Sequence, residues 1–529
     1  MTTPSAAPSP WYQRHPGWLA ALAALACVFL YLWLARPLLG FPLDDAWIHQ
    51  VYARNLGLTG RWEYAPGTAG SGSTSPLWTL WLALGYVLRV PFRWWAYGAG
   101  VACLAWLGGV SAALWRVLWP GRASLAWMGG LVVVFTWPLV WAAASGMETL
   151  LFAALGFTLL WQFLRKCRHI HGRTAVGLGI LGGLLILTRP DGLVLLFILS
   201  VAWLLPTAGS PPRRHWGGFL LALLLTLLPY FIFNYATSQH LWPNTFYAKQ
   251  AEYAALQARP LAGRVLHLLY FTLGGPPDGW RGMSAAHLLL LPGLVFAGWQ
   301  AARDDWRSRR LCVALPLLWA GGHVFLYAWR LPVTFQHGRY LLPIMPVWAL
   351  SGLAGWVWLL RQPALMTWRW RTVRLGWLAA RVAAATFGVL LLFFLAWGGR
   401  QYRADVAFIE AEMVATAHWL RANTAPQALI AAHDIGAIGY FARRPLLDLA
   451  GLVSPQLTPL LHDENLVARY VVRGGADYLV TAPGWTYAVL TEDSSAVTLV
   501  FQTDYAWTRQ QGLNNMEVYE LRPAGSGLP

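Results

Sequence analysis

Residues 17–56 read GWLAALAALACVFLYLWLARPLLGFPLDDAWIHQVYARNL. The segment 17–35 is apolar throughout and close to the roughly 20 residues that carry a helix across a bilayer. Polar sequence follows at once, and Asp44 and Asp45 stand side by side just beyond the membrane surface. Acids beside hydrocarbon are costly, which makes this pair a candidate site. Both acids also suit the start of the helix that follows, as N-cap and first-turn residues. That helix places Asp45, Ile48, His49 and Tyr52 on one face.

Outward from this stretch, residues 1–398 are a succession of long apolar runs. The whole chain is 57% hydrophobic and 12% charged, about half the charged share of a soluble protein. Only helices or closed barrels satisfy their backbone in lipid, so the expected fold class is an α-helical polytopic membrane protein. A small C-terminal α/β domain at 399–529 completes the chain. About eleven spans are expected: 17–35, 96–118, 125–142, 149–164, 174–188, 192–206, 217–235, three between 285 and 360, and 375–398. Residues 1–16 form a cytoplasmic tail, and no small-residue cleavage site follows the first apolar run, which makes it an anchor.

The net charge of +17 divides unevenly. Residues 1–398 carry 30 Lys and Arg against 9 Asp and Glu, whereas 399–529 carry 9 against 13. Basic excess in a membrane protein is first a topology signal, and no basic patch interleaved with aromatics points to nucleic acid. Placing the clusters at Arg116–Arg122, Arg165–Arg173, Arg213–Arg214, Arg303–Arg310 and Arg361–Arg374 inside, with Arg14 of the tail, puts 17 basic and 2 acidic residues in the cytoplasm. The long loops 36–95 and 236–284 and the C-terminal domain then lie outside. The apolar stretch 75–90, SPLWTLWLALGYVLRV, is short and is expected to lie in the interface, since a span there would move those clusters outside. The cysteines Cys27, Cys103, Cys167 and Cys312 have neither zinc-site nor disulfide spacing.

Under this topology five polar features share the external face. They are Asp44–Asp45; Glu148 in SGMET (145–149); Arg189 and Asp191 in LTRPDG (187–192); Asn244, Tyr247 and Lys249 in PNTFYAK (243–249); and His337 and Arg339 in FQHGRY (335–340). Each has a bland counterpart: an acid favoured by a helix N-terminus, a Pro-Gly turn, an interfacial arginine with a belt tyrosine. Lys249 stands out, since the chain has two lysines against 37 arginines. Together, carboxylates and cations beside lipid suit a phosphate-bearing lipid substrate and an acceptor hydroxyl. In the C-terminal part, 404–422 and 461–473 read as helices and 428–432 and 478–481 as short buried strands. This alternation favours a doubly wound sheet. His433 and Asp434 at a strand end read as structural.

The motifs LDDAWIHQVYARNL (43–56), GSTSPLW (72–78), SGMET, LTRPDG, PNTFYAK and GRYLLP (338–343) resemble those of the GT-C glycosyltransferases. Within that fold the chain looks most like the protein O-mannosyltransferases and the mycobacterial terminal arabinofuranosyltransferases. The tail motifs HDIGAIGY (433–440) and LDLAGL (447–452) extend the likeness. It departs at Trp47, where relatives often carry tyrosine. The resemblance implies a cell-envelope enzyme that moves a sugar, with inversion, from a polyprenyl-phosphate donor to a glycan, lipid or protein acceptor. It implies Asp44 as base, with Asp45 and Glu148 either orienting the acceptor or helping to hold a divalent cation. Lys249, Arg189 and Arg339 would bind phosphate, and His49, Asp191, Asn244, Tyr247 and His337 would line the substrate site. The competing reading, a transporter or flippase of a lipid-linked saccharide, expects charges at the bilayer midplane and related halves. Here the charges gather at one face and no repeat is visible.

Overall fold

The computed structural model describes residues 10–65, 72–166, 169–205, 211–274, 286–308, 313–370, 373–483, 488–492 and 497–522. Cys167, Cys312 and Arg310, named above, and Arg168, Arg309 and Arg371 of the basic clusters lie outside these residues. Cys27 and Cys103 are buried free thiols among membrane helices.

Helices stand where the apolar runs predict them. Among the described residues, five are long and apolar enough to cross a membrane: Pro16–Ala35, Phe92–Leu118, Arg213–Ser238, Phe335–Leu359 and Leu375–Asn423. A sixth forms if Pro120–Val134 and Trp137–Ala143, bent by 65°, count as one span. Gly172–Thr188 and Pro190–Leu204 are shorter apolar helices. The bend has a local cause. Pro138 has no N–H to continue the helical ladder, and Thr136 turns its hydroxyl back to the Val132 carbonyl at 2.7 Å. The stretch read as interfacial is the 12-residue helix Pro76–Val87, packed along Asp45–Thr59. At about 1.5 Å per residue it is too short to span.

The Leu375–Ile409 helix runs beyond its expected end at 398, through a π-helical turn at Glu410–Val414, into the C-terminal domain. That turn presents Glu412, fully buried, to the domain. Its carboxylate accepts from the hydroxyls of Thr503 and Thr508, from Asn515 Nδ2 at 2.8 Å and from the Met516 N–H at 3.0 Å. A buried carboxylate is tolerated only with such partners, so this network fixes the domain on its helix.

The domain's sheet has five strands: β1 Ile430–Ala432, β2 Leu446–Asp448, β3 Tyr478–Thr481, β4 Val497–Gln502 and β5 Glu517–Leu521. Their order is β2-β1-β3-β5-β4. β1 runs parallel to β2 and β3, but β5 is antiparallel to both β3 and β4. The doubly wound expectation therefore holds for one half only. The strand Val497–Gln502 pairs antiparallel with β5 at the sheet edge and leaves Thr498, Leu499 and Val500 exposed, which a parallel strand covered on both sides would not do.

Candidate active site

Asp44 occupies the N-cap position of Asp45–Thr59, yet its side chain makes no bond to that helix. It turns to the C-terminal domain, where Oδ2 accepts the Gly436 N–H at 2.6 Å and Oδ1 the Ala437 N–H at 2.7 Å. Gly436 is needed for this approach, because a Cβ there would collide with the Asp44 carbonyl oxygen and lie 2.7 Å from Oδ2. Burial, reinforced by the nearby Asp434 carboxylate, pushes the Asp44 carboxyl up to about 8, against the pull of the two backbone N–H groups.

Asp45, the next residue, is in the opposite state. Lys249 Nζ lies 3.0 Å from its Oδ2, and Arg339 Nη2 donates to the same oxygen. Burial alone would raise this carboxyl, but the two cations hold it well below the usual carboxylate range. Tyr340 closes the group: its hydroxyl lies 3.1 Å from Lys249 Nζ and 2.9 Å from Arg339 Nη2. Arg339 Nη1 is buried and finds no hydrogen-bond partner among the described residues. An orphaned guanidinium N–H is costly, so this position suits an anionic ligand.

A second charged group lies beside the first. Arg189, buried, donates from Nε to Asp191 Oδ1 at 3.1 Å, from Nη1 to Glu148 Oε1 at 3.3 Å and from Nη2 to the Tyr327 hydroxyl at 2.6 Å. Its planar fork serves three acceptors at once, which a lysine does not do. His49 Nε2 lies 3.4 Å from Glu148 Oε2, and His49 Nδ1 meets the Thr79 hydroxyl at 3.3 Å. Burial would raise Glu148, but the His49 contact and the Arg189 charge outweigh it and hold it at about 2.

Two cavities meet at Asp45. The larger, about 460 Å³, has Asp45, His49, Glu148, Arg189, Asp191, Lys249, Arg339 and Tyr340 at its polar end. Its remaining wall is largely apolar, with Leu193, Val194, Trp242, Phe246, Leu326 and Trp329. The smaller, about 110 Å³, is lined by Asp44, Asp45, Glu252, His433 and Asp434. Asp45, Lys249, Arg339 and Tyr340 line both and form the wall between them.

The structure thus gathers Asp44, Asp45, His49, Glu148, Arg189, Asp191, Lys249 and Arg339, drawn from five separate parts of the chain. Tyr52, further along the same helix face, lines neither cavity and packs with Ile48, Trp62 and Tyr64. Asn244 and Tyr247 line neither cavity. Asn244 Nδ2 bonds the carbonyls of Gly451 and Leu452, tying the second loop to the C-terminal domain, and Tyr247 stacks near His240. His337 also points elsewhere, to Asp405 at 2.8 Å. His433 and Asp434, read as structural, do line the smaller cavity: His433 lies 3.4 Å from Glu252 and 3.2 Å from Asp434. Tyr327 carries no local sequence signal, because it stands in an ordinary aromatic-rich span end, and Tyr340, within GRYLLP, reads there as a belt tyrosine.

Of the two roles open to Asp45 and Glu148, holding a divalent cation does not fit their surroundings. Asp45 and Glu148 are each compensated by cations in direct contact, and they belong to different groups. No cluster of three His, Cys, Asp or Glu side chains that would hold a metal ion occurs among the described residues.

Residues 400–519 match a family described as a domain of unknown function, DUF8728. Comparison with curated protein sequences gives no match. The structure is similar to that of ArnT from Cupriavidus metallidurans, solved bound to undecaprenyl phosphate. The TM-score is 0.59 at 17% identity, over 97% of this chain and 99% of that one. It is also similar to the oligosaccharyltransferase AglB from Archaeoglobus fulgidus, solved with an inhibitory peptide and a dolichol-phosphate. There the TM-score is 0.57 at 12% identity, over 89% of this chain and 70% of that one. The fold is therefore the GT-C fold of membrane glycosyltransferases.

Proposed function

We propose that this protein is a glycosyltransferase that moves a sugar from a polyprenyl-phosphate donor to an acceptor hydroxyl, with inversion, on the extracytoplasmic face. One observation carries the reading. An apolar-walled cavity ends in buried cations, and across the wall of those cations lies a small polar cavity holding a carboxyl group with raised proton affinity. The lipids named in the two similar structures support a polyprenyl-phosphate donor. The arginine distribution of the loops supports the external orientation.

In this reading the polyprenyl chain lies along Leu193, Val194, Trp242 and Phe246, and the phosphate meets Lys249, Arg339 and Arg189. The acceptor hydroxyl enters beside Asp44. A general base works best with a proton affinity near the working pH, which favours Asp44 over the cation-clamped Asp45. Asp44 takes the hydroxyl proton as the acceptor oxygen attacks the anomeric carbon. The bond from that carbon to the phosphate oxygen breaks, and the phosphate leaves with the electron pair. Its growing charge is met by Lys249 and by the unspent N–H of Arg339, both fixed before the reaction begins. Asp45 holds these cations in place when no donor is bound.

The donor half is tested by native mass spectrometry of the purified protein with undecaprenyl phosphate and with undecaprenol. The phosphate is expected to be required, and Lys249→Gln and Arg339→Gln are each expected to weaken binding at least about tenfold, the effect of losing one charge-assisted contact. Equal binding of the two lipids would refute the assignment.

A further inference from the structure

The segment that delivers Arg339 is held in an unusual backbone conformation. Gln336, His337 and Gly338 follow one another with φ of 52°, 58° and 67°, all in the left-handed region. Gly338 adopts this freely, and its missing Cβ leaves room for the Phe271 ring. Gln336 and His337 do not, since a side chain in this region costs energy and persists only where surroundings enforce it. Among the described contacts, those of His337 supply the enforcement. Its Nε2 lies 2.8 Å from Asp405 Oδ2. The same oxygen accepts the indole N–H of Trp141 at 2.9 Å. The imidazole sits edge-on between Trp137 and Trp141, with ring centres 5.0 and 5.2 Å away. Asp405 belongs to the long helix Leu375–Ile409 and the tryptophans to Trp137–Ala143, two elements of the rigid bundle.

We infer that His337 is a positioning residue: its grip on Asp405 holds the left-handed run and so sets Arg339 and Tyr340 against Asp45 and Lys249. The geometry leaves little slack. Arg339 follows the run directly, and the chain then enters a short turn where the Leu341 N–H bonds the Gly338 carbonyl at 2.7 Å. If the clamp opens, Gln336 and His337 relax towards ordinary backbone angles, and the rotation is passed to the Arg339 side chain at the wall between the cavities. His337 touches neither cavity, so its influence on the site runs through the backbone alone. The link to ligand binding rests on the phosphate-binding role given to Arg339, whereas the clamp itself does not.

Two readouts separate these layers. Hydrogen exchange of the ligand-free protein follows amides 334–341. His337→Ala and Asp405→Ala are each expected to speed exchange there at least about tenfold, with little change in the helices on either side. The double variant is expected to be no worse than either single one, because both open the same contact. Asp405→Asn keeps an acceptor oxygen and is expected to restore protection. Native mass spectrometry with undecaprenyl phosphate is then expected to show weaker binding in His337→Ala and Asp405→Ala, recovered in Asp405→Asn. Unchanged exchange at 334–341 in His337→Ala, or additive effects in the double variant, overturns the inference. Faster exchange with unchanged lipid binding overturns the coupling to Arg339. Absence of binding by the wild type overturns the proposed function and leaves the exchange result to decide the clamp.

Discussion

Asp44 Oδ1 accepts the backbone N–H of Ala437 at 2.7 Å, joining the first polar loop to the C-terminal domain across 393 positions of the chain. The residue read as the base is thus seated by the domain and not by its own helix. Gly436→Ala is expected to displace Asp44 and lower transfer at least about a hundredfold, comparable to losing a general base. Thermal unfolding of the variant in detergent, followed beside its transfer rate, checks this. A Gly436→Ala variant with wild-type turnover would show that the seat is irrelevant.

The raised Asp44 carboxyl gives a pH dependence with a definite sign. The group acts as base only when ionised, and its ionised fraction falls as pH drops below about 8. Transfer is therefore expected to rise with pH through the neutral range and level off above about 8. Asp434→Asn removes a neighbouring negative charge that favours the protonated form, so the rise is expected to move to lower pH, by on the order of half to one unit. A pH–rate profile of both proteins at saturating donor measures the shift. A move to higher pH would contradict the assignment.

Asp45 balances Lys249 and Arg339 when the phosphate is absent. Asp45→Asn leaves Arg339, buried, and Lys249, half-buried, short of a counter-charge, at a cost below the about 3–5 kcal/mol of breaking a fully buried pair. The ligand-free variant is expected to be less stable than the wild type, and undecaprenyl phosphate is expected to stabilise it more than it stabilises the wild type. Thermal shifts with and without the lipid test both halves. Equal lipid-induced shifts would place the phosphate elsewhere.

Glu412 anchors the domain through hydrogen bonds from Thr503, Thr508, Asn515 and Met516. Glu412→Ala orphans these donors, at about 1–3 kcal/mol for each that water does not reach. The expected result is faster proteolysis within the domain and, through the loss of the Gly436 and Ala437 seat, lower transfer. Unchanged proteolysis would show that the domain is held by other contacts.

Much of the site was legible because the bilayer makes polar residues conspicuous. Asp44, Asp45, Glu148, Arg189, Asp191, Lys249 and Arg339 interrupt apolar sequence, and the arginine clusters predict which loops share a side. The pairing among them was not legible, apart from Arg189 with Asp191, two residues apart. Bringing Asp45 to Lys249 and Arg339 depends on helix packing, which apolar runs do not encode locally. Asn244 and His337 have the same chemistry as ligand-binding residues, so only their partners, the Gly451 and Leu452 carbonyls and Asp405, reveal them as struts. The mixed sheet was missed for a related reason: parallel and antiparallel short strands look alike until their neighbours are known.

The most direct measurement of the central claim is transfer itself. Wild-type protein and Asp44→Asn are incubated in parallel with a panel of polyprenyl-phosphate sugars and cell-envelope glycan, lipid and protein acceptors, and the products are weighed by mass spectrometry. The wild type is expected to add one sugar mass to an acceptor and release polyprenyl phosphate with at least one donor. Asp44→Asn is expected to bind that donor and to fold, with some loss of stability because its amide nitrogen cannot accept the second of the Gly436 and Ala437 N–H groups, but to yield at least about a hundredfold less product. Undiminished product from Asp44→Asn would contradict the assignment of the base, and no transfer by the wild type from any polyprenyl-phosphate donor would contradict the function.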